Sequence, residues 1–135
     1  MAILTRIISL SKIPPVKILV VDDEELDLFI TSKTLSFGYD IQGFTSIKET
    51  VAWASKNDFD IVLIDYYLGP GLYATDMLKE ISSIAKGPVR HFVLSNYVDE
   101  KQILELKNAG FEDIIYKPVT LESFRKKVEI SRPLT

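Results

Sequence analysis

Five side chains in this sequence could do chemistry together: Asp22 and Asp23, side by side, and then Asp65, Ser95 and Lys117 in turn along the chain. Three carboxylates held close together repel one another, and a divalent cation or a proton relieves the repulsion. Oxygen donors without nitrogen or sulfur suit a hard cation. Few protein ligands suit Mg2+, which keeps several waters and shares its remaining positions with phosphate oxygens. Lys117 brings a positive charge able to neutralise a phosphoryl oxygen, and Ser95 a hydroxyl able to donate to another. Charge neutralisation and positioning are what phosphoryl transfer demands of a protein, and a carboxylate can itself be the acceptor, forming an aspartyl phosphate. Each residue alone has a bland explanation: an Asp pair caps a helix, Lys-Pro makes a turn, and a lone Ser caps. Their joint placement carries the reading.

That placement comes from the elements around them. Val16 to Val21 is a run of strand formers ending in Asp22-Asp23, and Asp60 to Asp65 is a continuous apolar run bounded by carboxylates, the pattern of a central strand covered on both faces. Tyr39 to Gly43, Arg90 to Leu94 and Phe111 to Tyr116 read as three further strands. Between them, Leu26, Phe29, Ile30 and Phe37 recur at helical spacing up to a stop at Gly38. Ser46 with Glu49 three residues on forms a capping box, with Ile47, Val51 and Ala54 on one face of the helix it opens. Met77, Leu78, Ile81 and Ile84 mark another helix, Ile103, Leu106 and Ala109 a fourth, and Thr120 caps a fifth with Leu121, Phe124 and Val128 inside. Gly69-Pro70-Gly71 reads as a loop without the spacing of a phosphate-binding loop. Strands alternating with helices predict an α/β fold with a parallel sheet. In such a sheet, ligands bind beyond the carboxyl ends of the strands, where all five candidate residues fall.

Composition narrows the options. A chain of 135 residues is expected to form one domain that buries roughly 65–70% of its unfolded surface. With no cysteine and one histidine, His91, it has no disulfides, thiolate metal sites or cysteine nucleophile, and any Ser-His-Asp arrangement would have to use His91. His91 is expected at the far end of its strand, in a structural role. The 19 acidic against 16 basic residues give a net charge of −3 and no electrostatic footprint for nucleic acid. No apolar run has the length of a membrane span, and the opening segment lacks a signal-peptide pattern, so a cytoplasmic protein without membrane insertion is expected. Ile3, Ile7 and Leu10 fit a weak amphipathic turn or two, read as a loose or locally packed tail, with a homodimer or partner contact, and then a membrane contact, as the alternatives.

The segments ILVVDDEE, DIVLIDYYL, HFVLSNY and GFEDIIYKP together resemble the receiver domain of two-component response regulators, in order and at the family's spacing, from about Val16 to Ile130. The resemblance implies a flavodoxin-like (βα)5 three-layer sandwich with a five-stranded parallel sheet in order 2-1-3-4-5. It implies an N-terminal extension at 1–15, the receiver domain at 16–131 and a C-terminal tail at 132–135. Asp65 would be the phosphoacceptor, Asp22 and Asp23 the acid pair holding Mg2+, and the Tyr67 carbonyl a further metal ligand. Ser95 would be the switch hydroxyl and Lys117 the phosphoryl contact, with a cis Lys117-Pro118 bond. The donor would be a phosphohistidine on a sensor histidine kinase or a histidine phosphotransfer protein, and the output a changed contact with a downstream effector, through the last two helices and the fifth strand.

This sequence departs from the family's pattern at several points. Ile114 stands three residues before Lys117, where receivers carry Tyr or Phe as a rotating reporter; Gly69 replaces a proline, and the loop that follows is one residue longer. Tyr67 and Tyr97 occupy sites that tune phosphoryl lifetime, and slow dephosphorylation is expected. Two rival readings remain: a receiver that docks partners independently of phosphorylation, and a haloacid-dehalogenase-type phosphatase. The latter needs a second Asp where this chain has Tyr67. DNA binding is not expected, since nothing after Ile130 could form a recognition helix. Arg125, Lys126 and Lys127 read as a solvated or partner-binding face.

Overall fold

A computed structural model describes residues 15–131, so the expectations for the N-terminal extension, Pro15 apart, and for the tail at 132–135 lie outside the described residues. The chain runs β1 (Lys17–Val21), α1 (Glu25–Leu35), β2 (Asp40–Phe44), α2 (Ile47–Ala54), β3 (Ile61–Asp65), β4 (Tyr67–Gly69), β5 (Leu72–Tyr73), α3 (Ala74–Ile84), β6 (Arg90–Ser95), α4 (Glu100–Ala109), β7 (Asp113–Tyr116) and α5 (Leu121–Ser131). Five strands form one sheet in the order β2-β1-β3-β6-β7, with every pair parallel. Counted along the chain without β4 and β5, this is the expected 2-1-3-4-5.

Successive strand residues point to opposite faces, so an all-apolar strand must be covered twice. Ile18, Val20, Ile61, Leu63, Phe92 and Leu94 pack with Leu35 of α1 and Phe124 of α5. Leu19, Val21, Val62, Ile64 and Val93 pack on the other side with Ala54 of α2, Met77 and Ile81 of α3, and Leu106 of α4. Each fully buried Val, Leu, Ile, Phe or Met among them stabilises the fold by about 1.5–3 kcal/mol relative to exposure. The result is three layers, as expected of a flavodoxin-like fold.

Two local readings need correction and a third an addition. Leu26, Phe29, Ile30 and Phe37 do not face the core: they are 67%, 59%, 43% and 78% exposed, and the positions of α1 that are buried are Thr31 and Leu35. The rotation of α1 is set instead where Leu28 and Ser32 lie against Gly43 of β2, so closely that a Cβ there would stand 2.7 Å from Leu28 Cδ1. The Ser46–Glu49 box is half made: Ser46 Oγ accepts from the Glu49 N–H at 3.0 Å, with no return bond from the Glu49 carboxylate. The Gly69-Pro70-Gly71 loop is the turn of a small antiparallel hairpin, β4 with β5. Gly69 and Gly71 take φ of 129° and 74°, the left-handed side of backbone space that glycine enters without a Cβ penalty.

The amino end of the sheet is tied by charge. Arg90 Nε and Nη2 donate to the two Glu112 carboxylate oxygens at 2.9 and 2.8 Å, and Nη2 also donates to the Val128 carbonyl at 3.0 Å. His91 lies at this same end, pairing with Val62, its ring edge-on to Phe111. Burial, opposed by the charge of Glu112 and a backbone hydrogen bond at Val89, lowers its pKa and keeps the imidazole neutral. The expected structural role for His91 fits this position.

Candidate functional site

Parallel strands all end at one edge, and the register decides which residues meet there. Val21 pairs with Ile64, so Asp22 falls beside Asp65; Asp65 pairs with Leu94; Ser95 pairs with Tyr116, the residue before Lys117. The Lys117 N–H donates to the Ser95 carbonyl at 2.9 Å, locking that last step. Sequence separations of dozens of residues thus collapse into one cluster.

Carboxylate oxygens of Asp22, Asp23 and Asp65 all lie within 4.8 Å of one another. Asp22 is fully buried; its Oδ1 accepts from the Glu24 N–H at 3.0 Å and its Oδ2 from Lys117 Nζ at 2.7 Å. Lys117 Nζ also reaches Asp65 Oδ1 at 3.1 Å. Burial first, and then the charges of Asp22 and Asp23, push the Asp65 pKa up to about 6 against the opposing pull of Lys117. Burial alone would lower the Lys117 pKa, but its hydrogen bonds to Asp22, Asp27 and Asp65 and the charge of Asp22 outweigh that and raise it, so the ammonium stays charged. The donor set is all oxygen, and one lysine does not balance its acids. These residues therefore fit a hard divalent cation such as Mg2+, of the kind that receiver domains hold in an acidic pocket.

Asp23, Asp65, Tyr67, Ser95 and Lys117 line one open cavity, together with Tyr66, Tyr97 and Asp27. The Ser95 hydroxyl is turned into its own loop, donating to the Tyr97 carbonyl at 3.0 Å and accepting from the Tyr97 N–H at 3.3 Å. It lines the cavity without touching Asp65. The rim is aromatic: Tyr73 at the end of β5 stacks edge-on against both Tyr66 and Tyr67, at 5.8 and 5.7 Å between ring centres, while Tyr97 opposite is 76% exposed. Ile114 is buried in the core beneath α4, 1% exposed. The Lys117-Pro118 bond is cis, as the family resemblance implies.

Sequence reading missed Asp27. It occupies the first turn of α1, where an acid is ordinarily credited to the helix dipole, yet its carboxylate accepts from Lys117 Nζ at 3.1 Å. The available signal was its position one turn past the Asp22-Asp23 pair, on the helix that this pair opens.

Comparison with known proteins bears on the whole arrangement. The chain is 30% identical over 122 residues to chemotaxis protein CheY-3 of Vibrio cholerae, a match covering 84% of this chain and 88% of that protein. It is 31% identical over 116 residues to a cyclic di-GMP phosphodiesterase of Thermotoga maritima, covering 82% of this chain but spanning only 29% of that larger protein. Among solved structures, the chemotaxis protein CheY4 of Vibrio cholerae superposes with a TM-score of 0.74 at 24% identity, over 87% of this chain and 99% of that one. A receiver domain protein from Clostridium thermocellum superposes with a TM-score of 0.72 at 25% identity, over 86% and 93%. The response regulator receiver domain model matches residues 18–129. Since that match runs unbroken from the first strand into the last helix, the chain belongs to the response regulator receiver domain family.

Proposed function

We propose that this receiver accepts a phosphoryl group on Asp65 from a phosphohistidine of a sensor kinase or phosphotransfer protein, and that the modified site alters a protein-binding surface. In the transfer, an Asp65 oxygen forms the new bond to phosphorus, the phosphorus–nitrogen bond of the donor breaks, and the imidazole nitrogen keeps the electron pair. The observation that carries this reading is the Asp65 carboxylate in an open cavity, with Lys117 Nζ at 3.1 Å and two further acids within cation-sharing distance. Asp22, Asp23, Asp65 and the Tyr67 carbonyl would hold Mg2+, which when bound supplies positive charge to the transferring oxygens. Lys117 meets a phosphoryl oxygen, and Ser95 gives up its Tyr97 contacts to donate to another. The movement of Ser95, which pairs with Tyr116 of β7, and of Lys117, which lines a cavity with Thr120 just before α5 and Ser123 on it, carries the change to the β7 and α5 side. A cytoplasmic site of action belongs to the same reading; among the described residues, no helix is long and apolar enough to cross a membrane.

Incubation with a small phosphodonor and Mg2+ is expected to add the mass of one phosphoryl group to wild type and none to Asp65→Asn. Labelling of the Asp65→Asn protein would displace Asp65 as acceptor. A second reading, docking independent of phosphorylation, draws on Ile114, which is locked in the core where a movable aromatic would relay the signal. No mass gain in folded wild type would favour it.

A further inference from the structure

We propose that Asp27 is a positioning residue for Lys117: it holds the ammonium in the resting site and must surrender it when a phosphoryl group arrives, which tempers the site's affinity for that group. The inference rests on the reading of Asp65 as acceptor and adds a regulator of it. Lys117 Nζ donates to Asp22 at 2.7 Å and to Asp27 at 3.1 Å, and forms an ion pair with Asp65 Oδ1 at 3.1 Å. An incoming oxygen must therefore compete with these carboxylates for Lys117. Asp22 holds its share most firmly, since it is wholly buried and closest to the ammonium. Asp27 can yield, because its side chain is 34% exposed and water can replace the lysine.

Asp27 is also placed for this use rather than for capping. An acid at the third helical position commonly folds back onto the amide that precedes the helix. Here that amide, the Glu24 N–H, is taken by Asp22 Oδ1 at 3.0 Å, and the Asp27 carboxylate turns to Lys117 across the site. It lines the cavity with Asp65 and adds a negative charge facing a dianionic ligand. Both the competition for Lys117 and that charge oppose phosphoryl binding.

The test uses beryllofluoride, a non-covalent stand-in for the phosphoryl group, titrated at fixed saturating Mg2+ and followed by fluorine NMR of the bound species. Asp27→Asn is expected to bind it about three- to tenfold more tightly than wild type, the size expected of one part-exposed charged contact. Asp27→Glu is expected to return affinity towards wild type, which a merely structural role would not do. Mg2+ titrated alone is expected to bind Asp27→Asn no more tightly than wild type. Unchanged or weaker beryllofluoride binding in Asp27→Asn, no recovery in Asp27→Glu, or a matching gain in Mg2+ affinity would overturn the inference. Wild type that binds no beryllofluoride at all would overturn the reading of Asp65 along with it, so the two failures are told apart.

Discussion

Asp65 makes the metal-free protein less stable at neutral pH than its packing alone would allow. Its pKa rises from 3.8 to about 6 on folding, chiefly through burial and the neighbouring Asp22, so between these values the folded state binds more protons than the unfolded. Stability therefore falls as pH rises from about 4 to about 6 and stays at the lower level above. Asp65→Asn removes the buried charge, and metal-free urea unfolding at pH 7 is expected to show a gain of about 1–2 kcal/mol, with a flatter profile between pH 4 and 6. Saturating Mg2+ is expected to narrow the gap by stabilising wild type. At this scale the sequence was informative wherever a candidate site residue stands at a strand end, because topology alone brings strand ends together. Asp22, Asp23, Asp65, Ser95 and Lys117 all qualify. Asp27 does not, since its reach towards Lys117 depends on how α1 is rotated, and apolar periodicity reported that rotation wrongly.

The error over α1 has a physical source. Its sequence is apolar on nearly every side, so spacing of Leu26, Phe29 and Ile30 could not choose the buried face; the close approach of Leu28 and Ser32 to Gly43 chooses it. Gly43→Ala forces a methyl group into that contact and is expected to cost about 1–2 kcal/mol in urea unfolding. The face left outward carries Leu26, Phe29 and Ile30 in solvent. The β4–β5 hairpin was equally hard to foresee, being only a few residues of strand around a glycine turn. Under the proposed function its effect would be chemical: Tyr73 braces Tyr67 beside the cavity, which would leave less room for water to reach an acyl phosphate on Asp65. Tyr67→Ala is expected to shorten the phosphoryl lifetime several-fold in a radiolabel chase. Tyr97→Ala is expected to have a smaller effect, because Tyr97 stands mostly in solvent.

The molecule as a whole carries a net charge of −3 and concentrates acid at one end of its sheet, so a divalent cation is expected to act on global stability as well as on chemistry. Each tenfold rise in Mg2+ above its dissociation constant is expected to add about 1.4 kcal/mol to the unfolding free energy, read as a steady climb in Tm. In Asp23→Asn that climb is expected to begin only at higher Mg2+. The fold class was legible because strands alternate with helices and β3 is apolar on both faces, which admits only a central position, whereas the strand order came from the resemblance to receiver domains. The ion pair between Lys117 and Asp22 joins positions 95 residues apart. A chain emerging from the ribosome presents the first acids of the site long before the lysine that steadies them. Loops this long close late and slowly. The growing chain thus has no length at which this cluster can close before its fifth sheet strand and Lys117 have been added.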